Sequence, residues 1–144
     1  MQSESVIIER TYNTTAEKVW KAITDINQLR QWYFDLSDFK PELGFEFRFE
    51  GKNEGRVFVH LCKVTAIVPG KKLQYSWSYE GHEGYSLVTF ELFAEGSSTR
   101  VKLTHEGLET FPMNNPDFAR TSFEKGWTAI IGTSLKEYVE KLTV

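Results

Sequence analysis

Two stretches of the chain alternate apolar and polar positions strictly. Phe45, Phe47 and Phe49 alternate with Glu46, Arg48 and Glu50, and Leu73, Tyr75, Trp77 and Tyr79 alternate with Lys72, Gln74, Ser76 and Ser78. A period of two is that of a strand with one covered and one wet face, which an antiparallel sheet accommodates. Residues 55–67 are apolar on both faces in part, which predicts a longer strand with a bulge near Val64. Residues 85–94 and 99–106 read as two further strands, and residues 5–12 as a strand of mixed alternation. Pro69-Gly70, the run from Gly81 to Gly84, and Gly96-Ser97-Ser98 supply the turns.

Elsewhere the period is helical. Val19, Trp20 and Ile23 make one apolar stripe, with Lys18, Lys21 and Asp25 facing water. Thr14 and Glu17 have the spacing of a capping box at its start. A second short helix over about 27–33 would bury Leu29 and Trp32. After a loop at 107–116, Asn115-Pro116-Asp117 reads as a helix start. Phe123, Trp127, Ile130, Ile131, Leu135, Tyr138 and Leu142 then recur at helical spacing. Gly126 and Gly132 interrupt that helix at about 1 kcal/mol each, so a close approach to the sheet or to a ligand is expected at both. The order of elements predicts an α+β fold: a curved antiparallel sheet of about six strands wrapped around a long C-terminal helix, with two short helices after strand 1. Only the last helix, at roughly 25 residues or nearly 40 Å, is long enough to cover the sheet.

Composition bounds the function. A length of 144 residues predicts one domain over 1–144. A net charge of -3 gives no electrostatic reason to expect nucleic acid or a polybasic membrane anchor. The single Cys62 excludes an internal disulfide framework and a cysteine-based metal site. The first residues carry neither a basic segment nor a long apolar run, so neither a signal peptide nor a membrane span is predicted, and a cytoplasmic location is expected. Aromatic residues reach 15% of the chain, most of them between residues 32 and 93. They can fill a core, or they can wall a cavity, since ligand pockets are mostly apolar and aromatic. The cavity reading nominates Trp32, Phe45, Phe47, Phe49, Tyr75, Trp77, Tyr79, Tyr85, Trp127 and Ile131 as lining, with His60 as the inward polar candidate.

The sequence resembles the START-like superfamily, which shares its helix-grip fold with the birch-pollen allergen, and within it the family named for the activator of the 90-kDa heat-shock-protein ATPase. The resemblance is carried by the run from Ala16 to Asp25, by Leu29 with Trp32, and by Val64-Thr65-Ala66-Ile67-Val68-Pro69 leading into the run from Lys72 to Trp77. Val88 to Leu92, Thr99 to Leu108, and Gly126-Trp127 complete it. Asp25-Ile26-Asn27, Thr15 and Cys62 stand where the family often has Asp-Pro-Glu, Pro and Gly; the last could reshape a pocket. The resemblance implies the helix-grip fold. It also implies a chaperone-directed role, although the chain has no room for the separate N-terminal domain that the co-chaperone uses in ATPase activation.

Candidate chemistry is sparse. His60, His82 and His105 have no metal-ligand spacing, and no cofactor is predicted. Cys62 lies on the same strand face as His60, alongside rather than facing it, so it reads as a free core thiol. Gly81-His82-Glu83-Gly84 reads as a hairpin turn, because no helix follows to make it a phosphate loop. For acid–base work the candidates are His60, Arg48, His105 and Tyr79. Arg48 is expected at the surface, His105 on backbone groups at a strand end, and Tyr79 at a cavity rim. The leading expectation is non-catalytic binding of a small hydrophobic or amphipathic molecule in a cavity of about 300 Å³ or more between the sheet and the last helix. The alternative is a protein-interaction module acting on a chaperone or other client, through apolar patches at Phe34-Asp35-Leu36 and at Leu108 to Met113. The third is a cyclase- or dehydratase-like enzyme in which His60 meets a second polar group.

Overall fold

A computed structural model describes residues 5–33, 36, 38–53, 56–111 and 120–143. The proposed helix start at 115–117 lies outside the described residues, as do Phe34, Asp35, Pro112 and Met113. The elements are β1 (Val6–Tyr12), α1 (Ala16–Thr24), α2 (Ile26–Trp32), β2 (Glu46–Asn53), β3 (Arg56–Val68), β4 (Lys72–Tyr79), β5 (Ser86–Glu95) and β6 (Ser98–Glu106). A short turn of 3-10 helix, Leu108–Thr110, follows. The C-terminal helix runs as α3 (Arg120–Ala129), a π-helical stretch (Ile130–Leu135) and α4 (Lys136–Thr143).

The six strands form one sheet in the order β1-β6-β5-β4-β3-β2, each neighbouring pair antiparallel. The alternating sets predicted from sequence point inward: Phe47 and Phe49, and Leu73, Tyr75, Trp77 and Tyr79, are all buried. Val88, Phe90 and Leu92 on β5 and Val101, Leu103 and His105 on β6 extend the same face. The bulge falls where expected: the β3–β4 register shifts between Val64 and Ala66. Beside it the Lys63 backbone N–H donates to Ser76 Oγ at 3.0 Å, so a side chain completes what the ladder leaves open there.

The helix buries Phe123, Trp127, Ile131, Leu135 and Val139, an unbroken four-residue spacing. In a regular α-helix such a stripe drifts by about 40° per step. The wider π turns at Ile130–Leu135 take up part of that drift and keep one face on the sheet. This is why Val139 is fully buried where Tyr138 stands only half-buried. The stretch is anchored from β1, whose Tyr12 hydroxyl donates to the Ile131 carbonyl.

Two local expectations are corrected. The α1 cap is Thr15, whose Oγ1 accepts from the Lys18 amide at 3.4 Å. Thr14 is instead buried, and its carbonyl accepts from Thr99 Oγ1 on β6 at 2.9 Å, so it belongs to the sheet and the helix starts one residue later. Of the two helix glycines, a Cβ at Gly132 would lie 3.5 Å from Arg10 Nε, ordinary contact, whereas one at Gly126 would meet open space, and Gly126 is exposed. Gly84 is the demanding glycine. Its φ is +115°, and a Cβ there would lie 2.3 Å from Phe111 Cδ1 and 2.9 Å from the Thr110 carbonyl. Gly84→Ala is expected to cost on the order of 3 kcal/mol, from backbone strain and overpacking together. Urea unfolding should show a lower midpoint at unchanged slope.

Candidate functional site

α1 packs against α2, β5 and β6, which makes a corner between the two short helices and the sheet. Asp25 joins the helices: its Oδ1 accepts from the Asn27 amide at 2.9 Å and caps α2. Trp32, at the end of α2, donates its indole N–H to the Ala22 carbonyl at 2.9 Å, which locks the two helices together. Under this corner is an apolar cavity lined by Ile23, Leu29, Trp32, Tyr33, Leu36, Phe39, Phe47, Tyr75 and Phe90. None of these residues is charged. Its volume is about 10 Å³, room for about one water molecule. This cavity is far smaller than the hollow of about 300 Å³ expected from sequence, because its rings mesh, as in Phe39 edge-on to Phe47 at 5.0 Å and Phe47 edge-on to Tyr75 at 5.1 Å.

The cavity wall holds one polar pair. The hydroxyls of Tyr33 and Tyr75 are 2.8 Å apart. Burial is the largest cause holding both phenols well above their ordinary pKa, and for each the Cys62 thiol nearby pushes the same way. Burial pushes the Cys62 thiol up as well, so it is an inert core thiol as expected.

The other nominated residues lie around this corner. Phe45 is half-buried against Phe39 at 6.2 Å. Phe49 stacks on His60 at 4.4 Å with their planes 13° apart, and Trp77 and Tyr79 each meet the His60 ring at 4.8 Å. Trp77 donates its indole N–H to the Tyr79 hydroxyl at 2.7 Å. Trp127 stacks on Tyr33 at 6.4 Å, and Ile131 is fully buried. Tyr85 departs from the prediction: it is 55% exposed. The alternation on β5 puts Ser86, Val88 and Phe90 inward, which leaves Tyr85 on the other face.

His60 faces inward, with its Nδ1 3.0 Å from the Phe58 carbonyl. Gly51, across the strand pair, makes room for it: a Cβ there would lie 2.7 Å from His60 Cε1. Burial lowers the His60 pKa to about 4, so at neutral pH the ring is an uncharged aromatic plate in an aromatic wall. It does not line the cavity. Arg48 is exposed and 3.8 Å from Glu80, as expected of the wet face.

His105 has a different role from the one expected. Its partners are side chains, not backbone. Trp127 Nε1–H donates to its Nδ1 at 3.0 Å, which places the imidazole proton on Nε2, 2.8 Å from Ser86 Oγ. Ser86 in turn donates to the Trp77 carbonyl at 2.7 Å. The protons run Trp127 to His105 to Ser86 to backbone, the reverse of a hydrolytic dyad, in which the histidine accepts the serine proton. Burial pushes the His105 pKa down to about 3, which keeps the chain of bonds neutral. It ties the helix to β4, β5 and β6.

The family model described as activator of Hsp90 ATPase homolog 1-like protein matches residues 13–140. The chain belongs to that family. No curated protein matches it. Among solved structures, protein MLL2253 from Mesorhizobium loti is 26% identical, with a TM-score of 0.76 over 96% of this chain and 98% of that one. CalU16 from Micromonospora echinospora is 24% identical, with a TM-score of 0.72 over 94% of this chain and 73% of its own. DynU16, a protein in the dynemicin biosynthetic locus, is 21% identical with a TM-score of 0.77; 96% of this chain is covered but only 48% of DynU16, so the chain spans about half its length. These likenesses carry the helix-grip fold, which is consistent with a ligand-binding domain.

Among the described residues no three His, Cys, Asp or Glu side chains converge as metal ligands. No described helix is long and apolar enough to cross a membrane. Sequence reasoning missed six of the nine cavity residues, Ile23, Leu29, Tyr33, Leu36, Phe39 and Phe90; Ile23 and Leu29 were read only as buried helix positions. For Tyr33 a signal existed, since it directly follows the buried Trp32 at the helix end. For Leu36 and Phe39, only the path of an irregular segment brings them to the cavity.

Proposed function

We propose that this chain binds a small apolar or amphipathic molecule between the sheet and its helices, at the corner under α1 and α2. One observation carries the reading: nine uncharged, mostly aromatic and aliphatic side chains enclose a cavity that contains a buried hydroxyl pair. That is the make-up of a ligand site, apolar with few polar groups. The volume of about 10 Å³ means that the ligand must displace part of the wall. Leu36 and Phe39 are the part that can move at least cost, because the described residues from 36 to 45 are in neither helix nor strand, and shifting them breaks no ladder. Trp32, Phe47 and Tyr75 are the sequence-nominated residues that line the proposed site.

The protein-interaction reading has less support. Of its predicted patches, Leu36, Leu108 and Phe111 are buried, and the family name alone does not supply a surface. The enzyme reading needed a second polar group at a cavity-lining His60, and the cavity is lined without it. Native mass spectrometry of the chain with an uncharged bicyclic aromatic tests the proposal. A saturable one-to-one adduct, lost on Phe39→Trp because the larger ring fills the space, is expected. A bare mass at saturating aromatic would contradict it.

A further inference from the structure

Phe39 is the least anchored residue of the cavity wall. Most of that wall belongs to helices and strands, and Tyr33 closes α2 through its backbone N–H to the Leu29 carbonyl. Leu36 is tied as well, since its carbonyl accepts from Arg30 Nε at 2.9 Å. Further along, Gly44 N–H donates to the Val64 carbonyl at 2.8 Å and Val64 N–H donates to the Phe45 carbonyl at 2.9 Å. These bonds fix the turn before β2, and Leu43 with it, to β3. Between the two ties the Phe39 backbone makes one hydrogen bond among the described residues, from its N–H to Oδ1 of the preceding Asp38. Asp38 and the residues from Lys40 to Gly44 are all exposed; Phe39 alone of residues 38–44 is buried. Rotation about its side-chain bonds takes the ring out of the cavity without breaking a hydrogen bond.

We infer that Phe39 is a built-in occupant of the binding site, and that the ligand is an aromatic ring that takes its place while the Phe39 side chain swings out to water. This rests on the binding role proposed above and specifies its ligand class. It accounts for a void of only about 10 Å³ in a wall built like a ligand site: the space exists and is filled from within. The Phe39 ring packs as a bound aromatic would, edge-on to Phe47 at 5.0 Å with planes 83° apart and edge-on to Phe45 at 6.2 Å and 74°. A ligand that expels the ring must recover what the ring gives up. A saturated ring or an acyl chain recovers the burial alone. An aromatic ring also recovers the edge-on contacts, each worth about two- to tenfold in affinity. Affinity is reduced by the fraction of chains in which Phe39 is already out, so the ligand has to bury more surface than one phenyl ring, as two fused rings do.

Two measurements test the inference. In the first, Phe39→4-fluorophenylalanine carries a single fluorine, and the change of its NMR shift between H2O and D2O reads exposure of the ring to solvent. That change should be near zero in the free protein and should rise toward its value in the urea-unfolded chain on saturation with 2-(hydroxymethyl)naphthalene. Saturable binding with the fluorine still shielded would overturn the inference while leaving the binding role standing. In the second, calorimetry compares 2-(hydroxymethyl)naphthalene with its fully hydrogenated counterpart, which has the same skeleton and hydroxyl and at least as much apolar surface. Wild type should prefer the aromatic probe by roughly five- to a hundredfold. In Phe47→Leu that preference should fall by about two- to tenfold, with binding of the saturated probe as the control for an intact site. Equal affinities in wild type would overturn the ligand class, and that comparison decides even where Phe47→Leu does not fold. An undiminished preference in Phe47→Leu would overturn the part given to the edge-on contact. If wild type binds neither probe, the binding role itself fails and the inference with it.

Discussion

Lowering the pH from 7 to 5 is expected to cost the fold about 4 kcal/mol through two histidines. His105 is pushed down to about 3 and His60 to about 4, each mainly by burial. In the unfolded chain both return to an ordinary value near 6.5. Between those values the unfolded chain holds protons that the folded chain refuses, so stability falls as pH falls. The contribution is intact above about pH 6.5 and is lost at about 1.4 kcal/mol per pH unit for each histidine below it. The loss from His60 ends near pH 4 and that from His105 near pH 3, where the folded forms protonate. Urea unfolding at pH 7, 6 and 5 reads the slope directly. His60→Phe should remove about half of it, because the ring is already used as an aromatic plate on Phe49. A flat profile between pH 7 and 5 would mean that both imidazoles reach water, and a halved slope that one does.

Trp127→Ala is the substitution expected to do most damage. The indole is 2% exposed and packs against Trp77 at 5.4 Å, Phe90 at 6.1 Å and Tyr33 at 6.4 Å. Emptying that space costs about 3–5 kcal/mol. The lost N–H also leaves His105 Nδ1 unpaired in the core, at about 1–3 kcal/mol more. Against a typical total of about 5–15 kcal/mol, the variant sits near the edge of folding. Trp127→Phe separates the two terms, since the ring is largely kept and only the hydrogen bond is lost. It should cost about 1–3 kcal/mol and change the His105 ring nitrogen signals in NMR, because Nδ1 no longer has a donor. An unaltered His105 spectrum in Trp127→Phe would refute the network from Trp127 to Ser86.

Patterning along the chain carried most of the fold. Alternation at 45–49 and 72–79 put the buried rings on the correct face, and the mixed run at 55–67 announced the bulge at Val64. The same logic, extended from Val101 and Leu103, points His105 inward, where side chains rather than backbone await it. What failed depends on quantities that periodicity does not encode. Tyr85 was misplaced by one strand residue, and a one-residue shift turns a side chain to the other face. The helix stripe ends on Val139 and not Tyr138 because a π stretch resets its phase, and no residue in Ile130–Leu135 signals that reset. Cavity volume is a small difference between the space enclosed and the side-chain volume filling it. Aromatic content alone cannot give its size, and the cavity came out near one water molecule. The Tyr33–Tyr75 pair joins residues 42 positions apart, a meeting set by how α2 docks on β4.

The most direct measurement is an NMR titration of the methyl groups with naphthalene. Binding at the proposed site predicts saturable shifts confined to Ile23, Leu29 and Leu36, which line the cavity. Saturable shifts at the exposed Ile7, Leu43, Val57 and Val68 instead, or no saturable shift anywhere, would contradict the account.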